Sequence, residues 1–113
     1  MDLITLKTWS SNQVIETIED GLAIKTEPER YNEALHGQTL AMLFQKTSTR
    51  TRASFEVGMT QLGGHAMYLD WRATNFQLAD LKDEAQVLSR YADGIMARMM
   101  SHGDLLKLAG GAE

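Results

Sequence analysis

The 113-residue sequence has no cysteine, one proline and no long apolar run. Without cysteine there is no disulfide framework and no thiolate nucleophile, which fits a reducing compartment. The single proline, Pro28, and the lack of any low-complexity tract exclude a proline-rich linker or a collagen-like repeat. No stretch approaches the length of a membrane span, and the opening Met-Asp-Leu-Ile-Thr-Leu-Lys lacks the layout of a secretory leader. Excess positive charge is missing too: a net charge of −4 argues against general nucleic-acid binding. His36, His65 and His102 are scattered without metal-like spacing to acidic partners, so no metal site is expected and no cofactor is implied. Neither Gly-x-x-x-x-Gly-Lys nor a Gly-x-Gly-x-x-Gly after a strand occurs, which removes the usual support for a nucleotide fold. These absences leave a cytoplasmic protein of at most one domain, with no membrane or nucleic-acid partner.

With 43% hydrophobic and 23% charged residues, the chain can bury an ordinary core. Ser10 and Gln13 form a capping-box pattern, Trp9 and Val14 can staple it, and Ile15, Ile18 and Leu22 follow at helical spacing, so an amphipathic helix is expected to about Lys25. Thr39-Leu-Ala-Met-Leu-Phe44 is a continuous apolar run suited to a strand covered on both faces. A basic turn comes next. Phe55, Met59 and Leu62 then recur at helical spacing, and Gly63-Gly64 supplies a stop. His65–Leu69 reads as a second strand, residues 70–79 as a loop, and Leu81, Ala85, Leu88 and Ala92 as one face of a third helix. Gly94–Met100 reads as a third strand, and Asp104–Ala109 begins another helix. The order β-α-β-α-β with apolar strands predicts an α/β fold, a parallel sheet covered by helices on both faces.

The turn at 46–52, Lys-Thr-Ser-Thr-Arg-Thr-Arg, starts a helix against the usual electrostatics. A helix N-terminus carries partial positive charge and free N–H groups, so its first turn favours Asp or Glu. Here it holds Arg50 and Arg52, with Lys46 just before, and no acidic residue lies between Glu33 and Glu56. Such cations repel one another unless an anion sits among them. The hydroxyls of Ser48, Thr49 and Thr51 suit phosphate oxygens. A solvated basic turn is the alternative; a small phosphorylated ligand accounts for more of the pattern. Arg98, within Ile-Met-Ala-Arg-Met-Met, is costly to desolvate without an anion. It either pairs with a carboxylate such as Asp93, lies exposed at the strand end, or shares the anion site at the same sheet edge. Lys82, Asp83 and Glu84 read as a solvated face. Trp71 and Phe76 in the 70–79 loop divide between local packing and a binding edge.

Phe44-Gln-Lys-Thr-Ser-Thr-Arg-Thr-Arg-Ala-Ser-Phe-Glu-Val-Gly-Met-Thr-Gln-Leu-Gly-Gly-His65 resembles the carbamoyl-phosphate loop and following helix of the aspartate/ornithine carbamoyltransferases, closest to the ornithine branch. Lys82-Asp-Glu-Ala-Gln-Val-Leu-Ser-Arg-Tyr-Ala-Asp-Gly-Ile-Met-Ala-Arg98 continues the match in order, so essentially the whole chain is covered. The resemblance implies that Ser48, Thr49, Arg50 and Thr51 hold the phosphate of carbamoyl phosphate, largely through backbone N–H groups. It implies that Thr51 and Arg98 approach the carbamoyl oxygen, with Arg50 on the bridging side, which makes Arg50 and Arg98 the catalytic candidates. Arg52 would orient the loop. The implied reaction is carbamoyl transfer to the amine of an amino acid such as ornithine, with phosphate released, as in arginine biosynthesis.

Two local departures accompany the match. Thr47 stands where many relatives have proline. The 70–79 loop, with Trp71, Asn75 and Gln77, lacks the Gly-x-Glu-Ser-type ending common in ornithine enzymes. In the family this loop reaches a neighbouring subunit's site, so these three residues are candidates for an inter-subunit contact in a homotrimer. Acetylornithine-type relatives carry a tryptophan here, and Trp71 keeps such acceptors open. The family's His-Pro-x-x-Gln, Ser-Met-Gly and His-Cys-Leu-Pro segments are absent from the 113 residues. The expectation is therefore a carbamoyl-phosphate-binding domain over 1–113, incomplete at its C-terminus and without the amino-acid-binding second domain. The alternative function is a non-catalytic phosphate-binding or assembly module.

Overall fold

The computed structural model describes residues 2–74 and 80–112. Three parallel strands form its centre: β1 (Thr39–Phe44), β2 (His65–Asp70) and β3 (Gly94–Arg98), in the spatial order β2-β1-β3. Ala41, Met42, Leu43 and Phe44 are 0–1% exposed, because β1 is flanked by a strand on each edge and by helices on each face. The four α-helices are α1 (Ser11–Thr26), α2 (Thr49–Gln61), α3 (Leu81–Tyr91) and α4 (His102–Gly111).

Crossover handedness explains the layering. The β1–α2–β2 connection steps to one side of β1, and β2–α3–β3 steps back across to the other side. Two right-handed crossovers in opposite directions must lie on opposite faces of the sheet. Accordingly Arg52 on α2 covers Tyr68 of β2, while Leu81 and Ala85 of α3 and Leu108 of α4 enclose Leu43 with Leu69, Ile95 and Ala97 on the other face. Burying a leucine such as Leu43 is worth about 1.5–3 kcal/mol. The α3–α4 packing is close: a Cβ on Gly111 would overlap the Lys82 carbonyl. The Gly63-Gly64 stop also holds. Gly63 has φ 87°, and a Cβ there would meet the Asn32 carbonyl oxygen at 2.6 Å, so only glycine closes α2 at this point.

Three expectations shift. The third strand ends at Arg98 and not at Met100, because the next residues turn into α4, which Ser101 caps by accepting the Asp104 N–H at 3.4 Å. Ala92 is the C-terminal cap of α3 and not part of its face. The first helix forms with its full capping box, but Ile15, Ile18 and Leu22 are 51–58% exposed and no residue of α1 is buried. Its stripe is amphipathic in pattern and uncovered in fact. Among the described residues, no helix is long and apolar enough to cross a membrane.

Candidate anion site at the carboxyl end of the sheet

The carboxyl ends of β1 and β3 lie side by side where the chain reverses its direction of travel across the sheet, the place where open α/β sheets bind ligands. Phe44 and Arg98 are register partners there. The turn after β1 leads directly into α2, so the basic segment and Arg98 lie at the same edge of the sheet although they are far apart in sequence.

Ser48 is the N-cap of α2, with φ −159° and ψ 96°, yet its side chain makes no capping hydrogen bond. Its hydroxyl instead donates to Thr51 Oγ1 at 2.9 Å. The first turn has no acidic residue. The N–H groups of this turn therefore lack the side-chain acceptor that a cap normally supplies. The cations divide into two kinds. Arg52 is committed within the protein: its guanidinium carbon lies 3.8 Å from the Tyr68 ring centroid, and Nε donates to Glu56 Oε1 at 3.3 Å. Tyr68 is in turn tilted against Phe44, 5.2 Å between centroids. Arg52 thus ties the start of α2 to the sheet. Lys46 and Arg50, by contrast, are exposed and make no ion pair among the described residues.

Arg98 is half-buried, and its Nε is buried with no hydrogen-bond partner among the described residues. The salt bridge to Asp93 does not form, because Asp93 Oδ2 accepts the Thr39 N–H at 2.8 Å at the other end of the sheet. An unpartnered buried N–H on a cation costs free energy on the order of 1–3 kcal/mol, more for a charged group, and an acceptor arriving at the site removes that cost.

The 70–79 loop opens with a short 3-10 turn, Trp71–Ala73. Asp70 starts it by accepting the Arg72 N–H at 2.9 Å and pairing with the Arg72 guanidinium at 3.0 Å; these bonds hold the Asp70 carboxyl below its usual range. Trp71 packs against the Leu43–Leu81–Leu108 core. Asn75 and Gln77 lie outside the described residues.

A concavity of about 660 Å³ runs along β3, lined by Leu40, Phe55, Met96, Leu105 and Leu108 among others. Among the described residues its charged lining groups are Asp2 and Asp93, which makes it chemically unsuited to an anion. Among the described residues no group of His, Asp or Glu is placed to hold a metal ion. Sequence reasoning overlooked Gln45, whose side-chain Oε1 accepts the Met100 N–H at 2.6 Å across the two strand ends. A lone glutamine after a strand carries no signal of such a partner.

A family model described as the aspartate/ornithine carbamoyltransferase carbamoyl-P binding domain matches residues 1–113. The chain is 41% identical to the ornithine carbamoyltransferase of Listeria innocua, over 99% of this chain and 36% of that protein. Among solved structures it resembles ornithine carbamoyltransferase from Pyrococcus furiosus, with TM-score 0.88 and 42% identity over 98% of this chain and 36% of that one. The Thermus thermophilus enzyme is similar, with TM-score 0.88 and 36% identity over 99% and 39%. The chain thus spans little more than a third of the length of the relatives it matches. It belongs to the aspartate/ornithine carbamoyltransferase family and corresponds to its carbamoyl-phosphate-binding domain.

Proposed function

We propose that the 113 residues form the carbamoyl-phosphate-binding part of an ornithine-type carbamoyltransferase, with Ser48, Thr49, Arg50, Thr51 and Arg98 as its ligands. The observation that carries this reading is the pairing of an uncapped, acid-free start of α2 with the unpartnered buried Nε of Arg98 at the same sheet edge. The phosphate sits on the first-turn N–H groups, where helix partial charge favours an anion. Arg50, which makes no ion pair among the described residues, lies on the side of the bridging oxygen. Thr51 and Arg98 approach the carbamoyl oxygen.

The chemistry follows from this placement. The neutral amine of the acceptor attacks the carbamoyl carbon, a C–N bond forms, and the carbonyl electrons move onto oxygen. The tetrahedral oxyanion collapses, the bond to the bridging oxygen breaks, and phosphate leaves with that electron pair and takes up the proton that the amine gives up. Arg98 and Thr51 stabilise the oxyanion, while Arg50 and the helix N–H groups stabilise the departing phosphate. Holding amine and carbamoyl carbon together supplies much of the remaining acceleration. The acceptor in this reading is ornithine, the substrate in the names of the relatives. Assembly is as a homotrimer through this domain, in the cytoplasm, in arginine metabolism.

The test is an amide NMR titration of the 113-residue chain with carbamoyl phosphate, with Arg50→Ala as control. Shifts clustered at Ser48–Arg52 and Arg98, lost in the control, are expected; a spectrum unchanged by carbamoyl phosphate sinks the reading. Incubation with ornithine and carbamoyl phosphate separates binding from turnover. No citrulline is expected from these 113 residues alone, and its formation would show that they hold a complete catalytic site.

A further inference from the structure

Gln45 has no part in the reading above, yet its backbone N–H and its side-chain oxygen both reach the segment that carries Arg98. Its backbone N–H donates to the Arg98 carbonyl at 3.0 Å, which continues the β1–β3 ladder one residue past the Phe44–Arg98 pair. Its side-chain Oε1 accepts the Met100 N–H at 2.6 Å. One residue, placed immediately before the basic turn, therefore holds positions 98 and 100 on the neighbouring strand end. Other restraints on this segment are few. Met99 packs against the core beneath it, whereas the Met100 side chain is 76% exposed. Arg98 Nε makes no hydrogen bond among the described residues, so no side-chain partner fixes the guanidinium at that nitrogen.

We propose that Gln45 is a positioning residue that sets Arg98 against the start of α2, so that the two halves of the anion site keep their spacing. This rests on the reading of Arg98 as a ligand of carbamoyl phosphate. Gln45 acts through Arg98 and does not touch the ligand. Losing its side-chain acceptor frees the 99–101 turn and widens the range of directions the guanidinium takes, and affinity falls because fewer conformers are competent to bind.

The experiment is a double-mutant cycle on carbamoyl-phosphate affinity, using Gln45→Met, Arg98→Ala and the combination. Gln45→Met keeps the length of the side chain and removes the strong acceptor; Gln45→Asn, too short to reach the Met100 N–H, is the second variant should the first fail to fold. Affinity is expected to fall roughly five-fold in Gln45→Met, the scale of one lost hydrogen bond. In the Arg98→Ala background the same change is expected to stay within about two-fold, because the residue through which it acts is gone. Unchanged affinity in Gln45→Met, or the same loss with and without Arg98, overturns the proposal. If the unmodified chain binds no carbamoyl phosphate, the proposed function falls by itself. The positioning role is then decided by the Arg98 side-chain Nε–H resonance, which is expected to shift or broaden in Gln45→Met; an identical resonance overturns it.

Discussion

Helices α2 and α3 begin in opposite ways. At α3, Asp80 caps by accepting the Lys82 N–H at 2.8 Å, and Asp83 and Glu84 occupy the first turn. At α2, Ser48 makes no capping bond, and the first turn carries Arg50 with no acid. Among the four described α-helices, α1 and α4 also have side-chain caps, from Ser10 and Ser101, so α2 is the exception. The lesson is that a helix start left unsatisfied by its own residues, and surrounded by cations, is a site that needs a partner. A start that supplies its own acceptor and acids needs none.

The sharpest way to break this contrast is to make α2 begin like α3. Ser48→Asp places a strong cap and a negative charge where the ligand phosphate is proposed to sit. Carbamoyl-phosphate binding is expected to be lost, while a better cap raises helix stability by about 0.5–1 kcal/mol. Calorimetric binding and thermal melting check the two effects together; retained affinity would remove α2 from the site. Next in size, Arg98→Ala is expected to weaken binding by about ten- to a hundred-fold, since a hydrogen bond to a charged group is worth roughly 1.5–3 kcal/mol. Its melting temperature should not fall, because Arg98 has no ion pair to lose among the described residues and its unpartnered buried Nε–H is removed with it. Affinity equal to the unmodified chain would show that Arg98 is structural.

The complementary experiment acts on α3. Asp80→Ala is expected to destabilise by about 1 kcal/mol, the ordinary worth of an N-cap, and to leave carbamoyl-phosphate affinity unchanged. Thermal melts and one titration decide it. The smallest effect is expected at Asp70, whose carboxyl is held below its usual range by its hydrogen bonds to Arg72. A lowered folded-state value means that its contribution is present above the ordinary value of 3.8 and is lost as pH falls through the lowered one. Asp70→Asn should therefore leave the melting temperature at pH 7 nearly unaltered, because the pair is solvent-exposed. Any difference from the unmodified chain should shrink further below about pH 4. A large loss at neutral pH would mean that the 3-10 turn is anchored far more firmly than an exposed pair allows.

The same contrast marks what could be read along the chain. The basic turn, the capping box at Ser10 and the positive φ of Gly63 depend on groups within a few residues of one another, although the tight approach of the Asn32 carbonyl to Gly63 does not. The apolar run Thr39–Phe44 similarly announces a strand buried on both faces. Arg98 is recognisable as anomalous, but its lack of a pair with Asp93 is not, because Asp93 is taken by the Thr39 N–H at the other end of the sheet. Ile15, Ile18 and Leu22 show the limit from another side: periodicity states which face of α1 is apolar and is silent on whether anything covers it. Gln45 lies beyond reach altogether, since its partner is 55 residues away and a glutamine fits any exposed strand end.

The sequence by itself determined the order of elements, the Ser10 capping box and the acid-free start of α2, because those effects act over a single turn of chain. Tertiary structure alone decided that β3 lies beside β1 and not beside β2. That choice brings Arg98 to the start of α2. Its physical reason is the packing of α3 and α4 around Leu43 on one face and α2 over Tyr68 on the other, which no short window of residues contains.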